Sequence, residues 1–219
     1  MVSFVDCLTH LDDSRITDPT AFLTRARDAG VVALINAGVD PAAETWEWPL
    51  AALKTPTIYR AFGIHPMATR AEQLNSDMSI LKQRLSEGPA VAIGEIGLDT
   101  RKGLPPAEVQ EAYFGAQLAL ADELELPVII HCVQAHGRMA QLLRNRGPLK
   151  CGGMIHGFTG AWEVAQDYLS LGLSLSFGGL LTRPNSKKAH KTATKIPLDR
   201  LLVESDSPDH PASGWIPSQ

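Results

Sequence analysis

The stretch AVAIGEIG, residues 90–97, is a nearly unbroken apolar run that contains one charged residue, Glu95. Such a run, without polar alternation, predicts a strand buried on both faces, as in a parallel sheet covered by helices. A carboxylate inside the run costs free energy unless it is paired or binds a metal. The stretch therefore predicts a parallel α/β sheet with a functional group built into it.

Seven further apolar runs flank this strand along the chain. They are SFVDCL (3–8), VVALIN (31–36), TIYRAFG (57–63), PVIIHC (127–132), GGMIHGF (152–158), LSLSFGG (173–179) and LLVESD (201–206). Segments with helical periodicity separate the runs, most clearly residues 107–126, and also residues 20–30 and 161–172. Eight such units are the count of a TIM (β/α)8 barrel. We expect one α/β domain over residues 1–219, without the final helix, because only thirteen residues follow Asp206.

Polar residues fall at or near the carboxyl end of one predicted strand after another. They are His10, His65, Glu95, His131, His156 and Asp206. A single histidine at a strand end is more often a hydrogen-bonded loop residue than a ligand, but the set is hard to explain as structure alone. In a TIM barrel the chemistry lies at this face. Imidazole and carboxylate groups suit divalent ions such as Zn²⁺ or Mn²⁺, and two ions sharing a carboxylate suit phosphoester hydrolysis.

The first strand lies within FVDCLTHLDD, residues 4–13. The alternation of side chains along a strand predicts that Asp6, Leu8 and His10 face the barrel interior. The neighbouring Cys7 is expected to face away from them. By the same geometry Cys132 faces away from His131, which argues against a catalytic cysteine–histidine pair.

The composition is that of an ordinary globular protein. The chain has 219 residues, 44% hydrophobic and 20% charged, with a net charge of −4, so it lacks the basic excess of proteins that bind nucleic acid broadly. Three cysteines at wide spacing suit a reducing compartment rather than a disulfide framework. We expect a cytoplasmic protein with no membrane partner, because no run approaches about 18 apolar residues and no signal peptide precedes the first strand.

Six blocks, in order along the chain, carry a resemblance to a known family. They are FVDCLTHLD near the start, FGIHP (62–66), VAIGEIGLD (91–99), QEAYFGAQLALADELELPVIIH (110–131), MIHGFTG (154–160) and IPLDRLLVESDSP (196–208). With these blocks the chain resembles the TatD-like metal-dependent hydrolases, also called TatD DNases, of the amidohydrolase-type TIM barrels. The resemblance runs from residue 3 to about residue 209.

The resemblance implies a site for one or two divalent ions, with zinc, manganese and magnesium as candidates. The implied ligands are His10, Glu95 and Asp206 for one ion, and Glu95, His131 and His156 for the other. Glu95 and Asp206 are then the catalytic residues, and Asp206 helps to activate the attacking water. The implied reaction is hydrolysis of a phosphodiester in DNA, or of another phosphoester.

Two positions depart from the family's pattern and leave alternatives open. Leu8 stands where the first histidine of an H-x-H pair is usual, and Val133 stands where a phosphate-binding arginine is usual. The chain could therefore be a degenerate member that binds metal, nucleotide or a partner with little catalysis, or a hydrolase of esters, lactones or amides. The flank left without a final helix also leaves a homo-oligomer open.

The stretch RPNSKKAHKTATK, residues 183–195, is the one dense basic segment of the sequence. The spacing of residues 183, 187, 191 and 195 predicts four cations along one helical face. This face is either a phosphate-binding edge for DNA or the solvated side of the helix after the seventh strand. Arg183 lies near the predicted barrel mouth, and together with His65 it is a predicted substrate-binding residue.

The segment TWEWPL, residues 45–50, contains two of the four tryptophans. At positions i and i+2 the two rings cannot share one helical face. They indicate either a surface for base stacking or the packing of a helix on the barrel.

Overall fold

Eight parallel strands pair in chain order in a computed structural model that describes residues 3–42 and 56–214. The strands are β1 (Phe4–Thr9), β2 (Val31–Ala37), β3 (Thr57–Phe62), β4 (Ala92–Asp99), β5 (Val128–Val133), β6 (Gly153–Ile155), β7 (Leu173–Phe177) and β8 (Leu201–Val203). All eight predicted strands are confirmed. β6 and β8 are shorter than predicted, so His156 and Asp206 lie just beyond the paired strands. The segment TWEWPL lies outside the described residues.

The first and last strands meet and close the barrel. Thr9 and Ser207 form a parallel bridge. The Asp206 N–H donates to the Leu8 carbonyl at 3.0 Å, and the His10 N–H donates to the Ser207 carbonyl at 2.8 Å. The predicted TIM barrel is therefore confirmed, and its closing seam lies beside two of the predicted metal ligands.

Six helices separate the strands in the described residues. They are α1 (Pro19–Asp28), α2 (Leu74–Ser86), α3 (Ala107–Glu123), α4 (His136–Arg146), α5 (Trp162–Ser170) and α6 (Lys187–Ala193). The Asp18 side chain begins α1 by accepting a hydrogen bond from the Ala21 N–H at 2.9 Å. As predicted, no helix follows β8 within the described residues, and none of the described helices is long and apolar enough to cross a membrane.

Two apolar clusters hold the barrel and its helices together. The larger lies between β4–β7 and α3–α5, and it includes Ile96, Phe114, Met139 and Leu175. The smaller fills the barrel interior with buried side chains from the six strands β1–β6, and Leu8 belongs to it. Because β4 is buried along its whole length, its polar residues must find partners inside the protein.

Two glycines let β4 approach β5 at the level of Glu95. A Cβ at Gly94 would overlap the side chain of Ile129, and a Cβ at Gly97 would overlap the carbonyl oxygen of His131. Gly97 also has a φ of 146°, a backbone conformation that residues other than glycine rarely adopt. Both glycines are therefore required by the close packing of the two strands that carry Glu95 and His131.

The predicted four-cation helical face over residues 183–195 is wrong. α6 covers only Lys187–Ala193, so Arg183 precedes the helix and Lys195 follows it. Arg183 has an extended backbone, with φ −73° and ψ 139°, because the next residue is Pro184 and disfavours a helical conformation before it. The cations share one exposed segment but not one helical face.

The predicted orientation of Cys7 is also wrong, whereas that of Cys132 is confirmed. The pairing of β1 with β2 has a register irregularity between Asp6 and Thr9, which interrupts the simple alternation of side chains. Cys7 Sγ lies 4.0 Å from Glu204 Oε2, on the side of the predicted site. Cys132 Sγ instead contacts the Tyr168 hydroxyl of α5 at 3.5 Å, on the helical side of the barrel.

Substitution of Gly97 by alanine is expected to destabilise the fold by more than about 2 kcal/mol, because the new methyl group overlaps β5 and the φ value is strained. The measurement is urea unfolding followed by circular dichroism. Gly115→Ala is the control, since Gly115 lies in α3 with open space around it and alanine favours a helix. Equal unfolding midpoints for the two variants would contradict this account of β4.

Candidate metal centre

The Glu95 carboxylate lies at the centre of the site, and its two oxygens face different groups of histidines. The residue is 2% exposed. Oε1 lies 2.9 Å from His10 Nε2, whereas Oε2 lies 2.7 Å from His156 Nε2 and 3.4 Å from His131 Nδ1. This arrangement divides the five predicted ligands into two trios that share one carboxylate.

The first trio consists of His10, Glu95 and Asp206. His10 Nε2 also lies 3.5 Å from Asp206 Oδ1, and the donor atoms of all three residues lie within 4.8 Å of one another. His10 Nδ1 donates to the Ala37 carbonyl at 2.9 Å, which leaves Nε2 as the ligand atom. Asp206 has a φ of 52°, a costly conformation for this residue type that the β1–β8 seam holds in place.

The second trio consists of Glu95, His131 and His156. His131 Nδ1 and His156 Nε2 lie 2.9 Å apart, and both face Glu95 Oε2. The ring centroids of the two histidines are 5.1 Å apart. Three converging donor atoms of this chemistry are suited to a single divalent ion.

A second carboxylate stands behind each histidine of the second trio. Asp99 Oδ2 accepts a hydrogen bond from His131 Nε2 at 3.1 Å, and Glu204 Oε1 lies 3.7 Å from His156 Nδ1. Glu204 is itself held by the Gly157 N–H at 2.6 Å. Such carboxylates fix the tautomer and the ring orientation of metal-binding histidines. The bond to Asp99 therefore leaves His131 Nδ1 as the ligand atom of that ring. His156 Nδ1 is buried without a hydrogen-bond partner among the described residues, and His156 Nε2 faces Glu95.

Sequence reasoning missed Asp99 and Glu204, although the signal for Asp99 was present. Asp99 lies four residues after Glu95 on β4, and Glu204 lies two residues before Asp206. Side chains two or four positions apart share a face of a strand. The period-two rule applied outward from Glu95 would have found Asp99. Glu204 lies beyond β8, where the strand alternation no longer holds.

Two buried glutamines of α3 position the loops at the barrel mouth. The Gln110 side chain accepts from the Asp99 N–H at 2.7 Å and donates to the Asp99 carbonyl at 2.8 Å. The Gln117 side chain makes the same pair of bonds with Ile64, at 2.6 and 3.1 Å, directly before His65. Since both glutamines are buried, these bonds anchor the strand ends that carry Asp99 and His65.

The charges of the trios balance one another. Burial alone would raise the pKa of Glu95, but His156 and His10 outweigh it and hold that pKa well below its usual value. Burial alone would lower the pKa values of His10 and His156, but the neighbouring carboxylates outweigh it and raise both. The metal-free chain thus neutralises its buried carboxylates with protonated imidazoles. A divalent cation can supply the same positive charge, so the residues fit a metal.

His65 lies next to the second trio but has a different hydrogen-bonding state. Its ring packs edge-on against His131, with centroids 4.3 Å apart. Its Nδ1 accepts a hydrogen bond from the Met67 N–H at 3.1 Å, so in the neutral ring the proton lies on Nε2. Burial and the nearby His131 lower the pKa of His65 to about 3, which keeps the ring neutral. His65 is therefore a hydrogen-bond donor, although one ring nitrogen lies within 4.8 Å of donor atoms of Glu95 and His131.

Neither the Leu8 side chain nor the Arg183 side chain makes a polar contact with the two trios in the described residues. Leu8 is fully buried beside His10 and packs in the interior cluster. No nitrogen or oxygen of that side chain can complete the first trio. Arg183 is exposed on the turn after β7, and no hydrogen bond or ion pair joins its side chain to the trios in the described part of the chain.

The family profile described as TatD related DNase matches residues 5–214. This chain belongs to the TatD family. An uncharacterized metal-dependent hydrolase, YjjV, from Escherichia coli K12 is 36% identical over 218 residues, which cover 97% of this chain and 82% of YjjV. The crystal structure of YjjV superimposes with a TM-score of 0.86 at 33% identity, over 98% of this chain and 83% of that one.

The name of a second relative also states a substrate. The protein named 3'-5' ssDNA/RNA exonuclease TatD from Pantoea vagans is 36% identical over 194 residues, covering 88% of this chain and 74% of that protein. An organophosphorus hydrolase mutant is similar in fold, with a TM-score of 0.70 at 18% identity. Metal-dependent hydrolases are thus the class to which the chain belongs.

We expect metal binding to the TatD-family chain to strengthen as the pH rises, because an ion must displace the protons on His10 and His156, whose pKa values are raised in the metal-free fold. Titration calorimetry with Zn²⁺ near pH 7, in two buffers of different ionisation enthalpy, should show release of about two protons. His136→Gln, outside both trios, should leave that number unchanged. An affinity that does not vary between about pH 6 and 8 would contradict the protonation described for the site.

Proposed function

We propose that this TatD-family chain hydrolyses phosphodiester bonds of DNA or a related nucleic-acid strand with one or two divalent ions. The observation that carries the proposal is the Glu95 carboxylate, which both trios share. One of its oxygens faces His10, and the other faces His131 and His156. Zinc, manganese and magnesium are the candidate ions, since the ligands are imidazole and carboxylate groups. Bound there, such ions would lower the pKa of water and polarise a phosphoryl oxygen.

The residues of the first trio handle the proton of the attacking water. Asp206 Oδ1 lies 3.5 Å from His10 Nε2, so a carboxylate oxygen borders the position of the first ion. In the proposed reaction Asp206 orients the water and accepts its proton as the water oxygen attacks phosphorus. The phosphorus–oxygen bond to the leaving group breaks, and the leaving oxygen takes up a proton from solvent. Glu95 would stay ionised, because a bound cation would replace the protonated histidines that hold its pKa low without metal.

His65 supplies a neutral hydrogen-bond donor to the substrate. Its Nδ1 is occupied by the Met67 N–H, so Nε2–H is the group available to a phosphoryl oxygen. A neutral donor stabilises charge that develops on that oxygen without adding a cation next to the ions. This role agrees with the prediction of His65 as a substrate-binding residue.

Arg101 supplies the cation that Val133 cannot. Asp99 pairs in register with Val133 across β4 and β5, and Arg101 is bound to Asp99. Arg101 Nε lies 2.9 Å from both carboxylate oxygens of Asp99, and Nη2 contacts Oδ2. Nη1 forms no hydrogen bond to any described residue. It is therefore available to a phosphate oxygen beside the second trio, held in place by the carboxylate that also orients His131.

A nucleic-acid strand is the substrate class that we favour. Relatives that are 34–38% identical carry the name 3'-5' ssDNA/RNA exonuclease TatD. Arg183, on the turn after β7, is the second predicted substrate-binding residue, and its exposed guanidinium suits a phosphate further along the strand. We place this reaction in the cytoplasm, since the three cysteines are free thiols.

One observation favours a second candidate function, binding without efficient catalysis. Leu8 is 0% exposed and occupies interior space beside His10, so the first trio has a single nitrogen ligand. Fewer strong ligands lower the affinity of a site for its ion, although water can fill an open position. A chain with an ion in the second trio alone would bind a phosphoester but turn it over slowly.

The test of the hydrolase is turnover of labelled single-stranded DNA and of a small chromogenic phosphodiester with Mn²⁺, Mg²⁺ or Zn²⁺, alongside bound metal per chain. We expect the wild type to cleave both substrates. Glu95→Ala should lower kcat/KM by about 10³-fold or more, because both trios lose an oxygen. Leu8→His should raise metal content, whereas Leu8→Met, similar in volume without a nitrogen, should not.

Two results of that experiment separate the candidate functions. If the wild type and Leu8→His are both inert with full metal occupancy, the chain is not a hydrolase of these substrates. If Leu8→His gains metal and activity while the wild type has neither, the chain is a binding protein that has lost its first ion site.

Substitution of Arg101 by glutamine is expected to lower kcat/KM for the phosphodiester by about 10- to 100-fold, the value of one charge-assisted hydrogen bond. Arg138→Gln is a matched control. Arg138 is 47% exposed and pairs with Glu111 through Nε and Nη2. Arg101 is 50% exposed and pairs with Asp99 through the same two atoms. An equal loss of kcat/KM in the two variants, or a loss of bound metal in Arg101→Gln, would contradict the proposed contact between Arg101 and phosphate.

A further inference from the structure

Five exposed cations form a surface that begins at the barrel mouth, after β7. We refer to Arg183, Lys187, Lys188, Lys191 and Lys195 as the basic surface. The sequence contains no aspartate or glutamate between residues 168 and 198, whereas the whole chain has a net charge of −4. The positive charge of this segment is therefore local and is not balanced by neighbours in sequence.

The basic surface is not balanced by neighbours in space either. None of its five side chains forms an ion pair with a carboxylate of the described residues. Elsewhere ten basic side chains do so: Arg15, Arg27, Arg70, Lys82, Arg84, Arg101, Arg138, Arg144, Arg146 and Lys150. Pairing is thus the commoner state of the described cations outside this segment, although Arg25, Arg60, Lys102 and Arg200 also form no ion pair with a described carboxylate. Five cations without an ion pair within thirteen residues therefore need an explanation other than average surface composition.

The positions of these lysines oppose the stability of α6. Lys187 and Lys188 begin the helix, where the helix dipole disfavours positive charge. Lys187 and Lys191 are four residues apart, a spacing at which like charges repel. A polyanion bound to the segment would relieve both effects. The arrangement thus favours a ligand that carries several negative charges.

The basic surface is attached to the loop that carries a ligand of the second trio. Thr192 of α6 donates through Oγ1 to the Gly160 carbonyl at 3.1 Å, four residues beyond His156. Lys195 Nζ lies 5.4 Å from the centroid of the Trp162 ring, within range of a cation–π interaction. A strand whose scissile phosphate lies at the ions could therefore extend along the loop after β6 toward α6.

We propose that the basic surface binds the phosphate backbone of a single-stranded nucleic acid outside the active site, an inference that rests on the proposed function. Regularly spaced lysines neutralise backbone phosphates without reading bases, which gives affinity that is independent of sequence and sensitive to salt. The surface holds the strand while the two trios act on one phosphodiester. It accounts for local nucleic-acid affinity in a chain that is acidic as a whole.

The test is the affinity of the metal-free protein, in EDTA, for a labelled single strand of about 20 nucleotides, measured by fluorescence anisotropy over a range of salt concentrations. Substitution of Lys187, Lys188, Lys191 and Lys195 by glutamine should weaken binding at least tenfold at low salt. The slope of log K against log salt should become shallower by about 3, since each neutralised phosphate of a single strand contributes about 0.7.

The matched control substitutes four ion-paired cations by glutamine, namely Arg27, Lys82, Arg144 and Lys150, and so changes the net charge by the same amount. We expect the control to bind the strand within about twofold of the wild type, since paired cations release few counterions. Equal losses in the two quadruple variants would overturn the proposal, as would a wild type that binds anionic phospholipid vesicles but not the strand.

The two proposals can fail separately in this design. A strand that the wild type binds through the basic surface but never cleaves, with any of the three metals, would overturn the proposed function and leave the surface standing. A strand that the lysine variant binds and cleaves as the wild type does would overturn the surface and leave the hydrolase standing.

Discussion

The ionised carboxylate of Glu95, held in the dry interior of β4, is the constraint on which the rest of the structure depends. A buried carboxylate of this kind requires positive charge close to both oxygens. The chain meets that requirement with histidines from three other strands, each of which must end at the same level of the barrel. Gly94 and Gly97 let β5 come close enough for this, and the β1–β8 seam fixes the height of His10. The placement of these histidines and strand ends therefore satisfies one electrostatic requirement.

The two trios differ in the neighbouring groups that hold their histidines in place. Both histidines of the second trio have a carboxylate behind them, Asp99 or Glu204, whereas the one histidine of the first trio is held by a backbone carbonyl. Leu8 adds apolar packing where a further ligand would increase affinity. We therefore expect the second trio, with more carboxylate support, to be the tighter of the two proposed ion positions.

The sequence determined the ligands better than their supports. The convergence of the five candidate ligand residues was predictable because a barrel brings all strand ends to one face, and most of the strands were recognisably apolar. Asp99 follows the same period of two as Glu95 and was missed only because a single carboxylate seldom identifies its partner, whereas Glu204 lies beyond the paired part of β8. The pairing of Arg101 with Asp99 was not predictable, since it depends on the direction of a flexible side chain. The extent of α6 was misjudged because Pro184 constrains the residue before it, a local effect that outweighs charge spacing.

The first trio joins the two ends of the barrel, since His10 follows the first strand and Asp206 the last. Two groups this far apart in the chain meet only where the first and last strands come together, so the first ion position does not exist in a barrel that is open at this seam. The second trio, by contrast, needs only the middle strands. An ion bound by His10 and Asp206 would therefore bind only the closed barrel. By mass action it would stabilise the barrel against opening at the β1–β8 seam.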